Sequence, residues 1–101
     1  MGQVNHYVVR NIRGPAWDPT RPLQEQALWE QHAAFMDALT AEGFVVLGGP
    51  LGGTVGALLI VSADSEETVR SRLSPDPWYK SGHLEMGSVE SWMILLNAGR
   101  L

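Results

Sequence analysis

Phe44-Val45-Val46-Leu47-Gly48-Gly49-Pro50-Leu51-Gly52-Gly53-Thr54-Val55 is the stretch whose reading decides the fold. Four apolar residues run into a glycine-rich turn, and a second apolar run, Val55 to Ser62, comes after it. A phosphate-cradling loop would carry Gly-Lys-Ser/Thr and open a helix. This stretch has no such triplet, and the segment beyond the glycines reads as strand. The turn over Gly48 to Gly53 is therefore predicted to close a β-hairpin between strands 44–47 and 55–62. Both strands are apolar on both faces.

Working outward, residues 23–42 are predicted to form one long helix. Leu28, His32, Phe35, Met36 and Leu39 share a face at three- and four-residue spacing, and Gly43 is the expected stop. Upstream, Asn5 to Ile12 reads as a strand rich in β-formers. Tyr7 and Val9 share one face; His6, Val8, Arg10 and Ile12 share the other. Between strand and helix lies a loop over 13–22 punctuated by Pro15, Pro19 and Pro22. It carries Trp17, which either packs on the rim of the core or lines a pocket mouth.

Downstream of the hairpin, Asp64 or Ser65 caps a second helix with Glu66 and Glu67 in its first turn. That helix runs to about Leu73 and stops before Pro75. A short turn over Asp76 to Gly82 comes next. The last strand is expected from Gly87 to Leu96, and the tail 97–101 frays. The order is strand, helix, strand, strand, helix, strand. Such a chain builds an α+β, ferredoxin-like fold: a four-stranded antiparallel sheet with both helices on one face. The other face would then expose an apolar patch, which a homodimer pairing sheet to sheet would cover.

The totals narrow the function classes. At 101 residues the chain is expected to be one domain over 1–101. A formal charge of −4 argues against nucleic acid or an anionic membrane as partner. With no cysteine there is no disulfide, thiolate metal site or cysteine nucleophile, which fits a cytoplasmic location. No basic stretch leads into a long apolar run at the N-terminus, so no signal peptide is expected. Met1-Gly2 opens no myristoylation signal, because position 6 is His. No apolar run approaches the roughly 20 residues of a membrane span.

The chemistry concentrates in Asp76-Pro77-Trp78-Tyr79-Lys80-Ser81-Gly82. Asp-Pro opens a helical turn and Gly82 ends it in a left-handed conformation. Trp78 and Tyr79 are costly to leave in water, so the turn is expected to close over something apolar. Taken alone, Asp76 reads either as a helix cap or as the partner of a histidine. His32, on the apolar helix stripe, reads either as a structural core residue or as an acid/base group. Arg10 either pairs with an anionic substrate or snorkels at the sheet edge. His6, His32 and His83 lack two-histidine metal spacing, so no metal and no cofactor is expected, and His83 is assigned to a solvated loop after Gly82. Ser81, Ser88 and Ser91 lack a nucleophile-elbow context.

These residues in this order resemble the YCII-related (YciI-like) family of small dimeric α/β-barrel proteins. The carriers are His32 in the first helix, Gly49-Pro50 at the end of the second strand, and Asp76-Pro77-Trp78 with Gly82 before the last strand. The 13–22 loop looks longer than in compact members. The resemblance implies a homodimer and a His32–Asp76 catalytic pair. In such a pair the carboxylate fixes the imidazole tautomer and the other ring nitrogen moves a proton. Arg10, Pro50, Trp78 and Tyr79 are then the residues expected to contact a small-molecule substrate. The implied activity is general acid/base chemistry of lyase or isomerase type on a small cyclic compound. The alternative is a non-catalytic dimeric domain that binds a small ligand or serves as an accessory protein.

Overall fold

The computed structural model describes residues 5–52 and 56–99. The predicted start of the third strand at Val55 and the last two residues of the tail lie outside that range. Four strands, β1 (Asn5–Arg13), β2 (Val45–Pro50), β3 (Gly56–Ala63) and β4 (Leu84–Trp92), form one sheet in the order β2-β3-β1-β4. Every pairing is antiparallel. Three helices complete the order: α1 (Trp29–Ala41), α2 (Glu66–Leu73) and the short α3 (Pro77–Ser81). This is the ferredoxin-like topology expected from the hairpin reading. Among the described residues no helix is long and apolar enough to cross a membrane.

Strand alternation sorts the sheet into two faces. Tyr7, Val9 and Asn11 of β1 lie opposite Val61, Leu59 and Ala57 of β3, and these side chains turn towards the helices. Val9, Val61 and Val69 are fully buried and Leu73 almost so, which makes them the centre of the core. The other face carries Val8, Arg10 and Ile12 opposite Ile60, Leu58 and Gly56. Ile12, Leu47 and Trp92 on that face stay 43–53% exposed.

The register shifts by one residue between Val45 and Leu47 on β2, and between Arg10 and Asn11 where β1 meets β4. The second shift leaves Gly87 as the extra residue, so Met86 and Val89 both reach the core although three positions apart.

Local chemistry sets the helix ends. α1 closes at Gly43, whose φ of +84° needs no Cβ to be tolerated. The Gly43 N–H donates to the Thr40 carbonyl and the Phe44 N–H to the Leu39 carbonyl, while Leu39 and Phe44 join the same core cluster. That pattern is a Schellman stop. Ser65 caps α2, its Oγ accepting the Thr68 N–H at 3.1 Å.

Three expected boundaries are corrected. The single helix over 23–42 is instead a 3-10 turn, Leu23–Glu25, followed by a break and then α1. The break has a cause: the Gln26 amide is buried and committed to the preceding loop, and Leu28 takes a left-handed φ of 66° at the helix entry. Leu28 is therefore off the helix stripe and 40% exposed. On β2, pairing continues through Gly48, Gly49 and Pro50, where a turn was expected. The last strand begins at Leu84 and ends at Trp92, leaving Met93, Leu95 and Leu96 outside it and 80% or more exposed.

Candidate active site

The site is built on α3, which is five residues long and has three roles fixed by neighbouring positions. Asp76 is its N-cap: Oδ1 accepts the Trp78 N–H at 2.9 Å. Gly82 ends it at a φ of +86°. Pro77 occupies the first helical position, where a missing N–H costs nothing. Asp76 is 1% exposed, so its carboxylate is held in place on all sides.

The same carboxylate reaches α1. His32 Nδ1 lies 2.9 Å from both Asp76 oxygens. A carboxylate accepts only, so Nδ1 carries the hydrogen and the lone pair of the neutral ring sits on Nε2. Among the described residues no hydrogen bond reaches Nε2, and no buried side-chain nitrogen or oxygen lacks a partner. Nε2 is therefore open to the cavity that His32 lines. The two readings of Asp76 are thus not exclusive: one carboxylate caps α3 and orients the histidine.

Trp78 holds the imidazole flat. Its ring stacks on His32 with centroids 3.9 Å apart and planes 10° from parallel. Trp78 is itself fixed by an Nε1–H bond of 2.7 Å to the Ala27 carbonyl. Trp17 meets it edge-on at 5.4 Å and Trp29 lies tilted at 5.8 Å. Trp17 answers both of its readings: it packs against Trp78 and lines the cavity.

The cavity measures about 400 Å³ and lies between the helix side of the sheet and α1. Trp17, Trp29, Met36, Leu59 and Pro50 give it apolar walls, and His32, Asn11, Arg13 and Asp37 bring the main polar groups. The loop over 13–22 forms part of its rim and is stitched down at both ends. The Gly14 N–H donates to the His83 carbonyl at 2.9 Å and the Ala16 N–H to the Gly82 carbonyl at 3.0 Å. Farther on, Gln26 Nε2 donates to the Asp18 and Arg21 carbonyls, while its Oε1 accepts the Asp18 N–H.

The structure brings His32, Trp78 and Pro50 onto the wall of this cavity, with Asp76 off the wall, buried behind His32 and bonded to its Nδ1. Arg10 stands apart: alternation puts it on the helix-free face, exposed and across the sheet from His32. Tyr79 also lies off the cavity wall; it borders an open depression with Ser74 and Met86, and its hydroxyl donates to Asn11 Oδ1. Burial, and secondarily the Asp76 charge, hold that hydroxyl protonated well above its usual range.

His83 is a correction. It does not sit in a solvated loop: it is 7% exposed, its Nδ1 lies 2.6 Å from Ser81 Oγ, and its ring lies near-parallel to Trp78 at 5.8 Å. Gly82 turns the chain back at that point, which carries His83 under Trp78 and into the start of β4. Residues that sequence reasoning missed are Asn11, Arg13, Trp29 and Gln26. For Arg13 a signal existed, because it shares strand parity with Val9 and so with the buried side.

The model of the YCII-related domain matches residues 15–93. Among solved structures, the chain is similar to the 5-chloro-2-hydroxyhydroquinone dehydrochlorinase TftG of Burkholderia phenoliruptrix AC1100, in complex with 2,5-dihydroxybenzoquinone. That match has 25% identity and a TM-score of 0.58, and covers 86% of this chain and 93% of the other. None of the curated proteins compared with the chain matches it.

Proposed function

The chain belongs to the YCII-related domain family, and from that premise we propose that it is a small-molecule enzyme working by proton transfer at His32. Asp76 positions the imidazole and stabilises the charge the ring gains when it takes a proton. The observation that carries this reading is the open Nε2: a histidine locked through Nδ1 and Trp78 presents its one free nitrogen to a cavity large enough for a single ring. The stacked aromatic floor suits a flat substrate.

The similarity to a dehydrochlorinase that was solved with a quinone supports a lyase-type elimination on a small hydroxylated ring. In such a step Nε2 removes a proton from the ring compound. The electrons of the broken bond move into the ring, and the leaving group departs with the pair from its own carbon. A base so placed contributes roughly 10²–10⁴-fold in rate. Pro50 and Trp78 contribute to the walls that hold the ring in place.

The test is chloride release from 5-chloro-2-hydroxyhydroquinone, or the homologous elimination from related halogenated hydroxylated rings, by wild type and His32→Asn. Wild-type turnover lost in His32→Asn, with folding stability changed by no more than about 1 kcal/mol, is the expected result. A His32→Asn protein destabilised by several kcal/mol that still binds ligand would return the site to a structural role and favour a non-catalytic binding domain.

We propose as well that two copies pair through the helix-free sheet face, where Ile12, Leu47 and Trp92 are left in water. Sedimentation at micromolar concentration is then expected to give twice the chain mass. A stable monomer would remove the packing argument.

A further inference from the structure

We propose that Asn11 and Arg13 form an oxyanion-binding wall of this cavity, selecting ring compounds that carry an ionised oxygen over their neutral ethers. The inference rests on the cavity being the ring-binding site and adds the charge state of its ligand. Asn11 and Arg13 are two residues apart on β1, so alternation turns both towards the helices, and both line the cavity.

Asn11 is 5% exposed, and its amide has only one way to face. Oδ1 accepts the Tyr79 hydroxyl. A phenol kept protonated by burial remains a donor throughout the neutral range, so it pins the oxygen end of the amide on its own side. Among the described residues the Nδ2 end has no hydrogen-bond partner, and no buried side-chain polar atom is without one. Nδ2 therefore meets the cavity surface. It offers N–H donors there and no acceptor.

Arg13 brings the charge. Its guanidinium lies 4.5 Å from the centroid of the Trp17 ring, and none of the ion pairs among the described residues engages it. A guanidinium stacked on an indole keeps its N–H edge free for a planar oxyanion. Asp37 is the carboxylate on the same lining; it is exposed, so water and salt screen it. A fixed neutral donor beside an exposed cation is suited to a phenolate or the enolate oxygen of a hydroxyquinone. Both groups would also hold the negative charge that develops on a ring oxygen while His32 takes the proton.

Equilibrium titration at pH 7 with 2,5-dihydroxybenzoquinone, ionised under those conditions, and with its neutral dimethyl ether tests this directly. Wild type should bind the anion at least about tenfold more tightly than the ether. Arg13→Met and Asn11→Leu should each weaken the anion about ten- to a hundredfold and leave the ether within about threefold, the range for losing a hydrogen bond to a charged group. Tyr79→Phe, which releases the amide to turn, should cost the anion about threefold. Asn11 is buried and its variant can fail to fold, but Arg13 is exposed and Arg13→Met keeps the proposal exposed to refutation.

Equal wild-type affinity for anion and ether, binding of neither compound, or an Arg13→Met protein that still prefers the anion as wild type does would each overturn it. His32→Asn separates this from the catalytic reading. That variant should keep the anion preference while losing turnover, so each idea can fail without the other.

Discussion

His32 and His83 are the same residue type on two sides of one problem. Both rings lie near-parallel to Trp78, both are mostly buried, and each has its Nδ1 held by a residue of the same short segment, Asp76 before α3 and Ser81 at its end. The differences are two. His32 faces a carboxylate and His83 a hydroxyl; His32 borders the 400 Å³ cavity and His83 does not. A hydroxyl can donate or accept, so it leaves the imidazole tautomer free, whereas a carboxylate fixes it. If His32 is the acid/base group proposed above, what sets it apart from His83 is the partner's charge together with access to a cavity, and neither burial nor stacking.

The largest effect that sharpens this contrast is on rate. His32→Asn should lower any turnover by about 10²–10⁴-fold, roughly 3–5 kcal/mol in the barrier, while His83→Asn should stay within about threefold. A comparable loss from both would erase the distinction. Stability should separate the two partners next. Asp76→Ala strands the Trp78 N–H and His32 Nδ1 in a buried site and should cost about 3 kcal/mol. Ser81→Ala removes an ordinary hydroxyl contact and should cost about 1 kcal/mol, both measured by urea titration.

The alkaline limb reads the same segment through Tyr79. Its hydroxyl titrates in the folded chain far above its ordinary value of 10.0, because of burial first and the Asp76 charge second. Stability from this group is complete below about pH 10 and is lost as pH rises beyond it, when the unfolded chain ionises first. The slope approaches about 1.4 kcal/mol per pH unit. Tyr79→Phe should flatten that fall, and a Tyr79→Phe protein with an unchanged alkaline slope would assign it to another group. The smallest expected effect is a null one: Ser81→Asp in the His32→Asn background gives His83 a carboxylate but no cavity, so turnover should not recover. Recovery would show that the partner's charge alone suffices.

Much of this arrangement was readable in the chain because it is local. Asp76-Pro77 and Gly82 bracket a turn whose caps depend on adjacent residues, and Gly43 closes α1 by backbone geometry alone. The hairpin came from the missing lysine after the glycines, and the ordered set His32, Pro50, Asp76-Pro77-Trp78 carried the family. What stayed hidden depends on contacts between distant segments. Nothing near Gln26 announces that its amide will tie down Asp18 and Arg21, so the sequence pattern alone extends the helix back to Leu23, where α1 in fact starts at Trp29. His83 looked solvated because the chain reversal at Gly82 that buries it is visible only once β4 is paired with β1. The β-formers thin out at Ile12, yet β1 runs one residue further, and that residue puts Arg13 on the same face as Asn11 while Arg10 falls on the other.

The two edges of the sheet have one more consequence. β2 and β4 are the outer strands, and each is irregular along its length. On β2 the pairing slips after Val45, and Pro50 has no N–H to offer a newcomer. On β4 the extra residue at Gly87 interrupts the row of backbone donors and acceptors. A strand from another molecule that tried to extend this sheet sideways would find no unbroken ladder to join, which guards the protein against the endless end-on stacking that leads to fibrils.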